Sequence, residues 1–364
     1  MLLSAQQKDI EGRHAPRATR PSQAVVPAGP AWFGAVMGTS LFANLTQIHG
    51  VPGVPIVLFV AGWVLLAILS IGFVLRCLRS PRTFKDSFTK HSEVTAWGMV
   101  SMGYLSVGSS TPTVLSSWMP GLTSVAWSVD WVMWTIGTAI GLVAAVGFAA
   151  KLMKGHTESP LPAWGLPIVA PMVTATTGAQ LVSHAHSLVG AVFTGVLSGG
   201  SFFVALSMGI AIFAIAYAHA WRQEPLPLAA AASAFIPLGI VGQSTAAAQS
   251  LSTAAQPLLQ PDVVDALARL AHIYGVVVLV IGIPVFLWAA FTTYRGFARG
   301  MPFTPGWWAM TFPVGTCSLG THLMGWDVLS AVLLLVLAAH WCVAATGTVM
   351  NLARGLSTEI PARR

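Results

Sequence analysis

The sequence predicts an all-α integral membrane protein of ten transmembrane helices, arranged as five helical hairpins. Three observations lead there. Of 364 residues, 55% are hydrophobic and only 8% charged, with a mean hydropathy of +0.73; a soluble domain carries about 25% charged residues. Ten separate apolar runs approach the roughly 20 residues that cross a bilayer. Lys and Arg gather in alternate loops. This composition excludes a disordered chain, a nucleic-acid binder and an ordinary cytosolic enzyme.

The runs alternate in character. The first, 30–49, opens with Pro30-Ala-Trp32 and continues Phe33-Gly-Ala-Val-Met-Gly-Thr-Ser40. The second, 54–76, is lipid-like, with Leu, Val and Ile throughout Ile56–Leu75. The third, 94–115, opens at Ala96-Trp97-Gly98 and carries Ser106-Val-Gly-Ser-Ser-Thr-Pro112; the fourth, 126–150, is again apolar. The fifth, 163–183, opens at Pro162-Ala-Trp-Gly165 and contains Pro171-Met-Val-Thr-Ala-Thr-Thr-Gly178, before the oily sixth run at 193–221. The seventh, 228–249, follows Pro227 without a Trp and holds Pro237-Leu-Gly-Ile-Val-Gly-Gln-Ser-Thr245, ahead of the eighth at 270–293. The ninth, 304–324, opens at Pro305-Gly-Trp307 and reads Thr311-Phe-Pro-Val-Gly-Thr316; the tenth, 327–350, includes Val328–Leu337. Odd runs are thus rich in Gly, Ser, Thr and Pro, and even ones in Leu, Val and Ile. The opening Trp recurs at an interval of roughly 70 residues, longer than the 20–50 of solenoid repeats. That interval is the length of one helical hairpin.

Charge supports this order. With the chain starting inside, 17 of the 18 Lys and Arg fall on the cytoplasmic side and only Arg269 on the other, as the positive-inside rule requires. Asp130, Asp262, Asp265 and Asp327 fall on or near the outer side. The organisation expected is a disordered cytoplasmic N-terminal tail at 1–29, a transport domain at 30–353 and a cytoplasmic C-terminal tail at 354–364. The polar tail has no apolar stretch of 7–15 residues and so does not read as a signal peptide. Cys77, Cys317 and Cys342 have no paired spacing, which predicts neither a disulfide framework nor a metal site. No cofactor is expected.

Small residues let helices approach closely, and hydroxyls can face a polar lumen. The odd runs are therefore expected to surround an axis, with the even ones shielding them from lipid. Thr39, Ser40, Ser109, Thr176, Ser244 and Thr316 are the lining candidates, chosen by position, and Pro171, Pro237 and Pro313 the expected kinks. No odd run holds an Asp, Glu, Lys or Arg at mid-depth, where proton relays and tight charge sites show themselves; Glu93 stands only at the start of the third. The pattern fits weak, transient holding of a solute by hydroxyls and dipoles. His49, His184, His186 and His322 fall near the outer ends of odd runs, where they could cluster and sense pH around a value of about 6.5; capping is their plainer role. Gly34 with Gly38, Gly137 with Gly141, and Gly195 with Gly199 have the spacing of close helix packing.

Enzyme motifs are weak. Gly242-Gln-Ser-Thr-Ala246 has the outline of G-x-S-x-G, but that motif needs a strand–turn–helix setting. No catalytic residue is assigned.

Pro30-Ala-Trp-Phe-Gly-x-Val-x-Gly-Thr39 and Trp307-Trp-Ala-x-Thr-Phe-Pro313, with ten spans and both termini inside, resemble the tellurite-resistance/dicarboxylate transporter family, which includes the slow anion channels and malic acid transporters. The resemblance spans about residues 28–350 and is most specific in the first and ninth runs. It implies a quasi-fivefold bundle around a central pore, a homotrimer, and small inorganic anions or C4-dicarboxylates as substrates. A phenylalanine of the ninth helix occludes the pore in that family, and Phe312 is the residue that matches. Met310 stands where an aromatic or small residue is expected. The function expected is passage of small anions through a gated, uncharged pore in the plasma membrane, with the bilayer as a partner and no nucleic acid. A proton-coupled dicarboxylate carrier and a tellurite or sulfite exporter are the alternatives within the family.

Overall fold

The computed structural model describes residues 29–155 and 159–359. The expected N-terminal tail therefore lies, apart from Gly29, outside the described residues. Among the described residues there are helices and connecting turns and no strand. Each of the ten apolar runs is helical. They form α1 (Phe33–Ile48), α2 (Val54–Arg79), α4 (His91–Ser110), α5 (Thr123–Met153), α6 (Leu166–Val182), α7 (Leu188–Arg222), α8 (Leu238–Ala254), α9 (Pro261–Ala298), α10 (Phe312–Leu323) and α11 (Asp327–Glu359). Between α2 and α4 the sequence reading expected only a basic loop. The structure places α3 there, Pro81–Thr89, with Phe84 and Phe88 turned onto Trp97.

Among the described residues, seven helical segments are long and apolar enough to cross a membrane. The three odd-run helices outside that set have local reasons. The regular part of α1 is 16 residues and of α10 only 12, while α4 is interrupted throughout by Ser and Gly. Short 3₁₀ turns open four of the five small-residue helices, at Pro30–Trp32, Pro162–Gly165, Leu228–Phe235 and Pro305–Met310. Proline supports such starts because its missing N–H is not needed in a first turn.

Burial separates the two kinds of helix. In their most apolar stretches, α6 with its opening turn is 94% buried and α8 with its opening turn 83%, against 17–44% for α2, α5, α7, α9 and α11. The oily helices present Leu, Val, Ile and Phe outward; the small-residue helices are enclosed. Each small-residue helix packs against the oily helix that follows it: α1 on α2, α4 on α5, α6 on α7 and α8 on α9, with α10 tied to α11 by Ser318 and Ser330. The small-residue helices also touch one another in sequence, α1 to α4, α4 to α6, α6 to α8, α8 to α10, and α10 to α1.

Two glycines make these contacts possible. A Cβ on Gly98 would overlap the Leu166 carbonyl, and one on Gly242 the backbone at Thr316 and Cys317. Gly34 and Gly38 make room for Trp308 and Thr311, while Gly137 and Gly141 receive Leu105 and Ser101. Four of the six paired glycines thus serve packing within the chain; Gly199 faces open space. The opening Trp32, Trp97 and Trp164 are buried, acting as pegs between helices rather than as an interfacial belt.

The expected kinks differ from one another. Pro171 lies inside the continuous helix α6, whereas Pro237 and Pro313 mark junctions where a 3₁₀ turn passes into an α-helix.

Candidate functional site

The five small-residue helices converge on a cavity of only about 10 Å³, lined by Met37 of α1, Met102 of α4, Leu166 and Val169 of α6, Ile236 and Gly239 at the start of α8, and Ala309, Phe312 and Pro313. That is about the space of one water. Phe312 is 2% exposed. The lining is apolar on every side, so an ion crossing this level would have to shed its hydration.

Phe312 is positioned by the break that precedes it. The turn Pro305–Met310 ends at Thr311, whose amide and hydroxyl both donate to the Trp308 carbonyl, at 3.1 and 2.7 Å. The Met310 carbonyl is met from α11 by His340, Nδ1 lying 3.1 Å away, and His340 Nε2 is 2.7 Å from the Tyr294 hydroxyl of α9. The network assigns the proton to Nδ1, leaving Nε2 to accept from Tyr294. Phe235 packs edge-on against the same imidazole, with ring centroids 5.0 Å apart. Two outer helices thus hold the backbone two residues before Phe312.

Residues four or seven positions further along a helix lie on the same face. From Met37 this face of α1 runs to Asn44; from Met102 it runs along α4 to Ser106 and Ser109. Val169 leads to Thr176, Gly239 to Gln243, and Phe312 to Thr316. All six are buried, so the apolar constriction is followed by a polar surface. Their hydroxyls are largely committed to carbonyls: Thr176 to Met172, Thr316 to Pro313 and Ser109 to Ser106. The amides differ. Asn44 Oδ1 and Gln243 Oε1 have no protein partner among the described residues, although the side chains are 5% and 3% exposed. A carboxamide offers two N–H donors as well as its oxygen, which suits an anion that a saturated hydroxyl cannot serve.

Of the six lining candidates, Ser109, Thr176 and Thr316 lie on this face. The other three are engaged by outer helices. Thr39 accepts from Trp341 Nε1 at 2.9 Å, Ser40 faces Gly62 of α2, and Ser244 accepts from the Tyr274 hydroxyl at 2.8 Å. Asn44, Gln243 and His340 are not marked by the sequence pattern, in which hydroxyl-rich strings carry the stronger signal. Counting helical turns from Phe312's neighbours would have found the two amides, and no sequence signal marks His340.

The histidines divide. His49 and His322 come together, with ring centroids 5.7 Å apart; His49 Nε2 is 2.9 Å from Ser330 Oγ, and His322 Nδ1 is 2.7 Å from Asp327 Oδ1. His184 instead stacks flat on Trp127, centroids 3.5 Å apart, and His186 is exposed. Those two stand apart from the pair.

Comparison with known proteins follows the same lines. A model of the SLAC1 family, described as voltage-dependent anion channels, matches residues 28–349. A sulfite efflux pump, SSU1, of Arthroderma otae is 28% identical over 349 residues, covering 88% of this chain and 89% of that protein. The SSU1 sulfite efflux pump of Trichophyton rubrum is 27% identical with the same coverage. That of Candida albicans is 22% identical, over 81% of this chain and 66% of its own length.

Proposed function

The chain belongs to the SLAC1 family of voltage-dependent anion channels, and from that premise we propose that it carries small anions through a passage between α1, α4, α6, α8 and α10, closed at Phe312. The observation that carries the reading is the cavity of about 10 Å³ where those five helices meet, followed by the polar face from Asn44 to Gln243. The order of contacts, each small-residue helix touching the next and α10 returning to α1, supports a ring of five hairpins and ten spans. The segregation of Lys and Arg supports cytoplasmic termini. Plasma-membrane residence and a homotrimer follow from the resemblance described above.

Selectivity has a simple physical source. The face carries no charged side chain, so an anion is held by amide and hydroxyl dipoles, strongly enough to enter and weakly enough to leave. Arg and Lys at the cytoplasmic edge raise the local anion concentration. A compact oxyanion of the sulfite class is the substrate proposed, in line with relatives named as sulfite efflux pumps. A dicarboxylate carrier would call for a cationic clamp at mid-depth, and this face offers none.

The test is uptake into proteoliposomes of nitrate, sulfite and malate by the purified protein. Flux of nitrate and sulfite, small in the closed wild type and raised in Phe312→Ala, with little malate in either, is expected. Saturable malate uptake without flux of either inorganic anion would overturn the reading.

A further inference from the structure

One acidic side chain stands apart from everything described so far. Asp130, the eighth residue of α5, is completely buried, and neither carboxyl oxygen has a hydrogen-bond partner among the described residues. It presses on α4 at Gly108, where a Cβ would lie 2.6 Å from Asp130 Oδ1 and 2.8 Å from the Met133 Cβ. Only glycine leaves room for the carboxyl. Three residues further along, α4 loosens into a π turn, Thr111–Leu115. Single π turns inside helices gather at functional sites.

The surroundings offer no counter-charge. α5 packs on α4, α6, the π turn and the turn at Pro120–Leu122. α6 and both turns carry no titratable residue. On α4, Tyr104 is hydrogen-bonded to Ser70 of α2 at 3.0 Å, while His91 and Glu93 lie at the opposite end. His184, just past α6, is stacked on Trp127. An unpaired carboxylate in such a place is far more costly than the neutral acid, so the packed arrangement takes up a proton.

Gly108 neighbours Ser109, and Ser109 lies with Ser106 on the face that leads away from Phe312. The carboxyl is therefore separated from the proposed anion path by the thickness of one helix, about 10 Å. A unit charge at that distance, with an effective dielectric near 20, changes anion occupancy roughly tenfold. We propose that Asp130 is a proton-binding site coupled to the anion path. With the proton bound, an anion passes Ser106 and Ser109; with the proton lost, the carboxylate repels it from behind α4. The inference deepens the anion-transport reading and rests on it.

The experiment is nitrate flux in proteoliposomes at symmetrical pH values from 5 to 9, comparing wild type with Asp130→Asn. Nitrate does not titrate in this range, so the protein alone supplies any pH dependence. The wild type is expected to lose about tenfold in flux from acid to alkaline conditions, the size set by the charge at one helix thickness. Asp130→Asn, fixed in the neutral form, is expected to hold the acid-side flux throughout. Asp130→Leu gives the same flat profile and serves where the Asn variant does not fold. A flat wild-type profile, or a folded neutral variant that keeps the wild-type step, overturns the proposal. Absence of flux for every anion tested, in the wild type and in Phe312→Ala alike, refutes the transport reading itself.

Discussion

Replacing Phe312 with alanine is the sharpest perturbation available. In the wild type the space beside the ring is about 10 Å³. Deleting six ring carbons adds roughly 100 Å³, enough for about three waters at about 30 Å³ each. The level lined by Met37, Met102, Val169 and Ile236 then passes from dry to wet, and an anion crossing it keeps part of its hydration. Each 1.4 kcal/mol removed from that barrier raises flux about tenfold, so relief of about 3 kcal/mol predicts a gain on the order of 100-fold. Phe312→Leu, which removes less of the ring, belongs between the two. A buried Phe→Ala change costs about 3–5 kcal/mol in a packed core, so a thermal scan must accompany the flux measurement. Nitrate and chloride fluxes in proteoliposomes are the assay. A monodisperse, cooperatively melting Phe312→Ala protein with wild-type flux would refute the argument that this ring closes the path.

Four further outcomes are expected. Gln243→Leu lowers nitrate flux about tenfold or more, since a hydrogen bond to a charged partner is worth about 1.5–3 kcal/mol. Thr39→Val leaves flux within about twofold but costs about 1–3 kcal/mol of stability, because Trp341 Nε1 loses its acceptor inside the bundle; flux and melting of the two variants separate the roles. His340→Phe frees the Met310 carbonyl and is expected to raise flux several-fold by loosening the segment before Phe312, read in the same vesicles. Gly242→Ala forces α8 from the α10 backbone and is expected to abolish a monodisperse elution peak, while Gly72→Ala, with open space around it, leaves the peak unchanged.

How far the sequence could be read depends on which physical signal each feature leaves. The difference between oily and small-residue helices was legible because lipid imposes composition on a whole face, and burial follows it closely in α6 and α8. The orientation of individual hydroxyls was not. A helix enclosed on all sides has no amphipathic stripe, so Thr39 and Ser40 look like Ser109 and Thr176 in the sequence, although the first two turn to α11 and α2. Serine and threonine also bond to carbonyls of their own helix, which hides their direction further. Asp130 reads as an outer-side residue because depth along α5 is ambiguous near the end of a long helix; its burial depends on Gly108, on the neighbouring helix α4. His49 and His322 share a level and pair there, whereas His184, near the same level, is drawn off by Trp127; sequence position alone does not separate the two cases. The short helix α3 is hard to read in the sequence because its Pro and basic residues resemble a loop, and only its two phenylalanines, four apart, betray a face.

The turn that precedes Phe312 has a mechanical consequence. In a 3₁₀ segment each residue advances about 2.0 Å and turns about 120°, against 1.5 Å and 100° in an α-helix. Were the six residues Pro305–Met310 to rewind as α-helix, everything beyond them would rotate by about 120° and draw back by about 3 Å. The ring of Phe312 would swing off the axis while α10 stayed intact, with no hinge cut into it. The His340 imidazole holds the last carbonyl of that segment, so any such rewinding would have to break that hydrogen bond first.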